Sequence, residues 1–555
     1  MKKVLLSILT LSALVAAVSC NNNAANDKEE NFYSRTDQQL FIGDDIAIAN
    51  TQYGKVRGYI MRDTYTFLGI PYGASTAGEN RFMPAKPPQP WEGVKDAVFY
   101  GACAPQSVMR YPNNIATFLD CWNYFDMTED CLNLNVWTPA LDNGKRPVIV
   151  WIHGGGFSSG NSIEHHEYHG ENFSHYTNAV FVSPNHRLNS IGFTDFSEVD
   201  PKFKDSGNVG ILDLVEALKW VHNNIANFGG DPNNVTIIGQ SGGGAKVCNL
   251  VAMPETKGLI HKAVALSGNA TSAINKEAAK GLGPAILKAA GLKPNQMNKL
   301  QEMPFEEYME LANKVQREYA MTNPGLGRFG FGPIADGDHI PVGEFFQSDH
   351  CANVPLLICT TTAEWPSARD DAKKHASSKE EVIKMMSQGG GRFAPAISAD
   401  KAEAVYNAFA KAFPKKLPIE INDLVASSRA NALHTADLKV KQGAPVYVAW
   451  FDWQPPILDG RLHAFHTMDI AFWFMNTDLQ VSHTGGGQYP RNLSKKMSKA
   501  LYNFMANGDP NKGLKTGLPE WPAYTTEEGA TMILEDQSYV MYAPDKEALA
   551  IMNSR

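Results

Sequence analysis

The chain has 555 residues, 43% of them apolar and 19% charged, which is enough hydrophobic material for a large core. Fifty Lys+Arg against 58 Asp+Glu leave a net charge of −8, so the basic footprint of a nucleic-acid binder is absent. The length would accommodate about three or four average domains, although large α/β folds often keep such a length as one.

The N-terminus reads as an export signal: a positive start at Lys2-Lys3, an apolar run from Val4 to Val18, and the small-residue end Ala16-Ala17-Val18-Ser19-Cys20. The run is too short for a transmembrane helix. A cysteine directly after the small residues resembles a bacterial lipoprotein signal, which implies lipidation of Cys20, with plain secretion as the alternative. Asn21 to Glu30 is polar and nearly free of apolar residues, and residues 21–40 are expected to form a disordered tether. The expected location is the envelope of a Gram-negative bacterium, periplasm or outer membrane, with that lipid as the only membrane contact. Cys103, Cys121, Cys131, Cys248, Cys351 and Cys359 match no zinc-ligand spacing, and an exported chain is able to form disulfides.

Ile46 to Gly58 and Tyr65 to Ile70 alternate apolar and polar residues, as antiparallel edge strands do. Arg81 to Trp91 is Pro-rich and reads as loop. Cys131 to Trp137 alternates again. From Val148 onward the character changes to near-continuous apolar runs: 148–152, 179–183, 235–238, 262–266, 355–358 and 446–450. Such runs suit strands buried on both faces, with helices between them. Asp213 to Phe228 is one helix, with Leu214, Leu218, Val221 and Ile225 on one face and Gly229-Gly230-Asp231-Pro232 ending it. Residues 41–555 are expected to be one α/β domain with a mostly parallel central sheet and a largely helical insertion between about Ala273 and Phe329.

The stretch Val235 to Ala245 runs from an apolar strand through Gly239-Gln240-Ser241-Gly242-Gly243 into a helix. This is a G-x-S-x-G elbow in the strand–turn–helix context it requires, and it makes Ser241 the candidate nucleophile. The flanking glycines leave room for a strained turn, which lifts the hydroxyl above the sheet at a helix N-terminus. His153-Gly-Gly-Gly156 follows the strand 148–152 and supplies bare backbone N–H groups, so Gly155 and Gly156 are candidate oxyanion donors, with the N–H of Gly242 as the third.

A nucleophilic serine needs a base and an orienting acid, in the chain order Ser, Asp/Glu, His on this fold. The base candidates include His463 and His466, after the strand at 446–450; the acid candidates are Glu364 and Asp370, with Asp336 and Asp338 as rivals. Glu164-His165-His166-Glu167-Tyr168-His169 invites a metal reading, but it lacks the His-Glu-x-x-His order and is expected to be a solvated loop near the site. No metal or cofactor is expected.

Several motifs together resemble the type-B carboxylesterases, the family of para-nitrobenzyl esterases, mammalian carboxylesterases, bile-salt lipase and cholinesterases. They are Phe67-Leu-Gly-Ile-Pro-Tyr72, Glu129 to Trp137, His153 to Phe157, Asn185-His-Arg-Leu188, Asn208 to Ser241, Pro333 to Pro341, and His466-Thr-Met-Asp-Ile-Ala-Phe472. The resemblance runs from about Ile46 to Tyr524 and implies an α/β-hydrolase fold and a serine carboxylester hydrolase. It selects His466 as base, three residues before Asp469, and Glu364 as acid within Cys359-Thr-Thr-Thr-Ala-Glu-Trp365. Ala363 and Trp365 depart from the usual Asp and Gly there, and Gln240 and Gly242 from the commoner Glu and Ala beside the nucleophile. The resemblance also implies a Cys103–Cys131 disulfide, with Cys121 as competitor, and buried ion pairs Arg81–Glu129 and Arg187–Asp213. It puts Ser267 near the acid, where simple strand-end packing is an equal reading.

The implied partner is a small-molecule ester, hydrolysed through an acyl-enzyme. A catalytically silent binding protein on the same fold and an amidase are the alternatives. Trp122, Tyr124, Phe125, Phe157, Phe329, Phe331, Trp365 and Trp473 are candidates for an apolar gorge or for core. An aryl or short-to-medium acyl ester is the expected model substrate.

Overall fold

The apolar runs become the middle of one sheet. The computed structural model describes residues 38–108, 123, 126–326, 330–389, 396–425 and 428–554. Its 12 sheet strands are β1 (Leu40–Phe41), β2 (Tyr59–Met61), β3 (Thr64–Pro71), β4 (Asn133–Thr138), β5 (Arg146–Ile152), β6 (Val180–Pro184), β7 (Gly230–Gln240), β8 (Lys262–Leu266), β9 (Leu356–Thr361), β10 (Val446–Phe451), β11 (Ala530–Leu534) and β12 (Tyr539–Tyr542). The spatial order is β1-β2-β3-β4-β6-β5-β7-β8-β9-β10-β11-β12. Neighbours are parallel from β6 through β11. At both edges they are antiparallel. This is the mostly parallel α/β-hydrolase sheet expected from the sequence.

The runs are apolar throughout because both faces are covered. Val148, Val150 and Ile152 pack with the helix Val209–Asn224 on one side, while Ile149 and Trp151 pack with the helices Asp469–Trp473 and Gln488–Asn507 on the other. β4 departs from the alternating reading, since all its residues are buried. Its polar side chains face a hydrogen-bond network and not water. Asn135 Nδ2 donates to the hydroxyls of Ser162 (3.1 Å) and Ser183 (3.2 Å), and Asn133 Nδ2 donates to the Ala102 carbonyl at 2.8 Å.

Two differences from expectation lie near the N-terminus. Leu40 pairs with Met61, so the sheet begins inside the stretch read as tether. Ile48–Thr51 and Gly54–Arg57 do pair antiparallel, but in a separate three-stranded sheet with Val94–Asp96. Residues 1–37, including Cys20, lie outside the described residues.

The helical insertion occurs where expected, as Lys276–Ala279, Leu282–Ala289, Met297–Glu302 and Phe305–Thr322, and it covers Phe82, Phe196 and Phe203. A second helical block, Ala372–His375 to Arg429–Val440, lies between β9 and β10 and carries its own apolar cluster around Val405 and Phe409.

Both ion pairs implied by the resemblance are present and buried. Arg81 grips Glu129 at 2.6 and 2.5 Å, and Arg187 grips Asp213 at 2.8 and 2.6 Å with both side chains fully enclosed. The disulfide is not formed among the described residues: Cys131 is a buried thiol with no bond to Cys103. Burial pushes Cys103 up to about 12 and Cys131 well above the usual thiol range. Cys121 lies outside the described residues.

Removing one partner of a fully enclosed pair leaves an uncompensated buried charge. Asp213→Ala is therefore expected to cost about 3–5 kcal/mol of unfolding free energy, read from urea denaturation midpoints. A loss below about 1 kcal/mol would place the pair among surface-like contacts.

Candidate active site

The registers of the parallel strands bring the candidate residues to one end of the sheet. Ile152 lies opposite Gly239, Gln240 opposite Leu266, and Leu266 opposite Cys359. The next residues along these strands are His153, Ser241 and Ser267, and Glu364 follows the end of β9 at Thr361. This carboxyl end of an open parallel sheet is where such folds bind ligands.

Ser241 has φ 57° and ψ −121°, a backbone conformation that costs a non-glycine residue on the order of 1–3 kcal/mol. Its N–H donates to the Leu266 carbonyl at 2.8 Å, and its own carbonyl accepts from Ala245 N at 3.0 Å, which starts the helix Gly242–Ala252. The neighbours must be bare. A Cβ on Gly239 would come within 2.4 Å of Gly243 backbone, and one on Gly243 within 2.0 Å of the Ile152 carbonyl. A Cβ on Gly242 would meet Gly156 backbone at 2.1 Å. The commoner alanine at that position is thus excluded here by the close approach of the His153–Gly156 loop. Gly155 and Gly156 in that loop have φ of 77° and 64°, and both are open to solvent in part.

His466 and Glu364 come together as the resemblance implied. His466 Nδ1 lies 2.5 Å from Glu364 Oε2, and the His466 backbone N–H donates to the Glu364 carbonyl at 3.0 Å. The other carboxylate oxygen, Oε1, accepts from the Ser428 hydroxyl at 2.8 Å and from Thr361 N at 3.1 Å. Burial disfavours the Glu364 charge, but the His466 hydrogen bond and charge outweigh it, with Ser267 and Ser428 adding to them, and its pKa sits below the ordinary value. The Trp365 ring, 42% exposed, stacks on His466 at 4.8 Å between centroids. The Gln240 amide nitrogen lies 3.3 Å from both imidazole nitrogens.

His463 is separated from this group. Its Nδ1 pairs with buried Asp423 at 2.9 Å. Of the rival acids, Asp336 is engaged elsewhere, accepting from Asn208 and from the backbone of residues 338–340.

The expected solvated loop at Glu164–His169 is instead enclosed, with Glu164, His165, Glu167 and Tyr168 buried and only His166 exposed. Tyr168 bonds Glu164 at 3.1 Å and Glu167 lies 3.2 Å from His483, which explains the burial of so polar a segment. Among the described residues no group of three or more His, Cys, Asp and Glu side chains is placed to hold a metal ion. Of the aromatic candidates, Trp473 is fully buried core, bonded to Asp469, while Phe157 and Phe331 are half-buried. Trp122, Tyr124, Phe125 and Phe329 lie outside the described residues.

A serine in a strained elbow, with a histidine held by a buried carboxylate at the same end of the sheet, is an arrangement of the α/β-hydrolase fold. The family model of the carboxylesterase family matches residues 45–552, and the chain belongs to that family. It is a carboxylic ester hydrolase. A para-nitrobenzyl esterase of Bacillus subtilis is 32% identical over 511 residues, covering 90% of this chain and 97% of that protein. Phenmedipham hydrolase of Pseudarthrobacter oxydans is 29% identical over 510 residues, covering 88% and 95%. Among solved structures, an esterase of Clostridium hathewayi described as hydrolysing aliphatic aromatic polyesters is 35% identical, with a TM-score of 0.81 over 93% of this chain and 99% of its own. A Geobacillus stearothermophilus carboxylesterase is 30% identical, with a TM-score of 0.72 over 91% of this chain and 100% of its own.

Sequence reading did not single out Ser428, which reaches Glu364 from a helix 64 positions further along the chain. It also missed Lys246, buried on the nucleophile helix. Gly-Gly-Gly-Ala-Lys was visible, but the lysine had no partner until the fold supplied one.

Asp469 provides a test of site electrostatics. Burial, then the nearby Glu364 charge, pushes its pKa up to about 7. The unfolded value is about 3.9, so the folded chain holds this proton more tightly. That stability is fully present below about pH 4 and is lost as pH rises through about 7. Asp469→Asn is expected to raise Tm relative to the parent at pH 8 and to leave it unchanged at pH 4, by scanning calorimetry. A Tm difference independent of pH would contradict this assignment.

Proposed function

We propose that Ser241, His466 and Glu364 form the catalytic triad of this carboxylester hydrolase and that the reaction passes through an acyl-enzyme. The observation that carries the reading is the 2.5 Å contact between His466 Nδ1 and the enclosed Glu364 carboxylate, at the sheet end where Ser241 is held at positive φ. With Nδ1 committed, Nε2 is the face that takes the Ser241 proton as the hydroxyl oxygen attacks the ester carbonyl. The imidazolium so formed is stabilised by Glu364. The tetrahedral oxyanion rests on the N–H groups of Gly155, Gly156 and Gly242, each worth about 3 kcal/mol of transition-state stabilisation. His466 returns the proton to the departing alcohol, and water then attacks the acyl-enzyme with His466 as base.

The same reading takes the substrate to be an aryl or short-to-medium acyl ester, and Trp365 beside His466 gives it an aromatic wall. The N-terminal signal supports export and anchoring through a lipidated Cys20 in a Gram-negative envelope.

Protein lacking residues 1–20 is expected to hydrolyse para-nitrophenyl acetate and butyrate. Ser241→Ala should lose at least about a thousandfold in kcat, and Glu364→Gln about a hundredfold or more. His463→Gln should stay within about twofold of the parent, because its partner is Asp423 and not Glu364. Equal rates for parent and Ser241→Ala would overturn the triad. A larger loss from the His463 variant than from Glu364→Gln would reassign the base.

A further inference from the structure

We propose that Lys246 is a positioning residue for the oxyanion loop, its buried amino group tying the His153 carbonyl to the helix that carries Ser241. The inference rests on the reading of His153–Gly156 as that loop.

Lys246 is fully enclosed in the helix Gly242–Ala252. Enclosing an ammonium is costly, and a methionine of similar length would fill the space without that cost, so packing alone does not account for it. The side chain has a specific target. Nζ donates to the His153 carbonyl at 3.1 Å and lies 5.8 Å from the centre of the Phe157 ring. It therefore touches both ends of the His153–Phe157 segment.

The helix geometry explains the reach. Gly243, three residues earlier on the same face, has no side chain, and a Cβ there would stand 2.8 Å from the same His153 carbonyl. The bare glycine lets the helix close on the loop, and Lys246 fastens it one turn later. The far half of the loop has its own fastenings. Ser158 N and Ser159 N donate to the Gly155 carbonyl, Gln106 holds Gly160 in both directions, and Asn189 N donates to the Phe157 carbonyl. The Lys246 bond supplies the matching anchor on the nucleophile side.

Burial pulls Lys246 down to about 7, with the Glu164 charge acting the other way, and burial pushes Glu164 up to about 8. Burial and then the Lys246 charge pull His153 and His186, stacked at 4.8 Å, well below the ordinary imidazole value. Charged or neutral, Nζ keeps an N–H for the His153 carbonyl.

The test is Lys246→Met in the chain lacking residues 1–20, with Lys246→Gln as a neutral donor beside it. A misplaced loop damages the transition state more than the ground state. Lys246→Met is expected to lower kcat for para-nitrophenyl butyrate about 10- to 100-fold with KM within about twofold. Affinity for an alkyl trifluoromethyl ketone, bound as the Ser241 oxyanion adduct, should fall by the same factor as kcat. Lys246→Gln should recover part of both. Unchanged kcat and ketone affinity in the methionine variant would overturn the proposal, as would a fall in kcat with ketone affinity intact. If the methionine variant does not fold, the glutamine variant decides by the same two readouts, intermediate values supporting the proposal and unchanged ones overturning it. A parent enzyme that neither turns over nor binds the ketone would sink the esterase reading itself, and this proposal with it. Turnover by the parent with unchanged Lys246 variants would sink this proposal alone.

Discussion

The site depends on one backbone constraint: Ser241 must sit at positive φ at the end of β7. A side-chain-bearing residue stays there only if its surroundings leave no alternative. Here β8 takes its N–H, the following helix takes its carbonyl, and three neighbouring strands and loops press against bare glycines at 239, 243 and 268. A Cβ on Gly268 would stand 1.7 Å from the Ser241 carbonyl. The strain is maintained by the whole parallel sheet, because the register that seats β7 between β5 and β8 also delivers His153 and Ser267 beside the serine. The strained geometry of Ser241 and the sheet register are one property of this fold.

Electrostatics then assigns roles to chemically similar groups. Glu364 and Asp469 are both enclosed carboxyls. Glu364 has a histidine, the Ser428 hydroxyl and a backbone N–H to favour its charge, and it lies low. Asp469 has one indole N–H and a like charge nearby, and it is pushed up to about 7. Burial acts the same way on both; the hydrogen-bond partners decide. The same contrast separates His466, engaged with Glu364, from His463, engaged with Asp423.

What was legible in the sequence was whatever is local. Runs buried on both faces announce themselves by composition, and Lys262–Leu266 appears in the structure with the bounds read from the sequence. The elbow and the glycine loop are legible because their glycines are steric necessities of a few residues. Other features were hidden for physical reasons. Ala530–Leu534 and Tyr539–Tyr542 are short, and only Tyr539–Tyr542 is an edge strand, exposed or half-buried along its length. The helices Lys379–Gln388, Ala399–Ala412 and Pro418–Val425 form a satellite cluster and carry no motif. Asn133, Asn135 and the Glu164–His169 segment looked solvated because they are polar, and their enclosure rests on partners far away in sequence. Lys246 and Ser428 share that cause. The family resemblance implied a Cys103–Cys131 disulfide, whereas the structure holds Cys131 as an enclosed thiol.

The most direct test of the account is labelling of the protein with a fluorophosphonate, followed by peptide mass mapping. Such reagents are captured by a serine whose oxygen is deprotonated by a neighbouring base and whose adduct oxygen is held by oxyanion donors. The account predicts one adduct per chain, on the peptide carrying Ser241, and its disappearance in His466→Ala. No adduct, or an adduct on another serine with Ser241 unmodified, would contradict it.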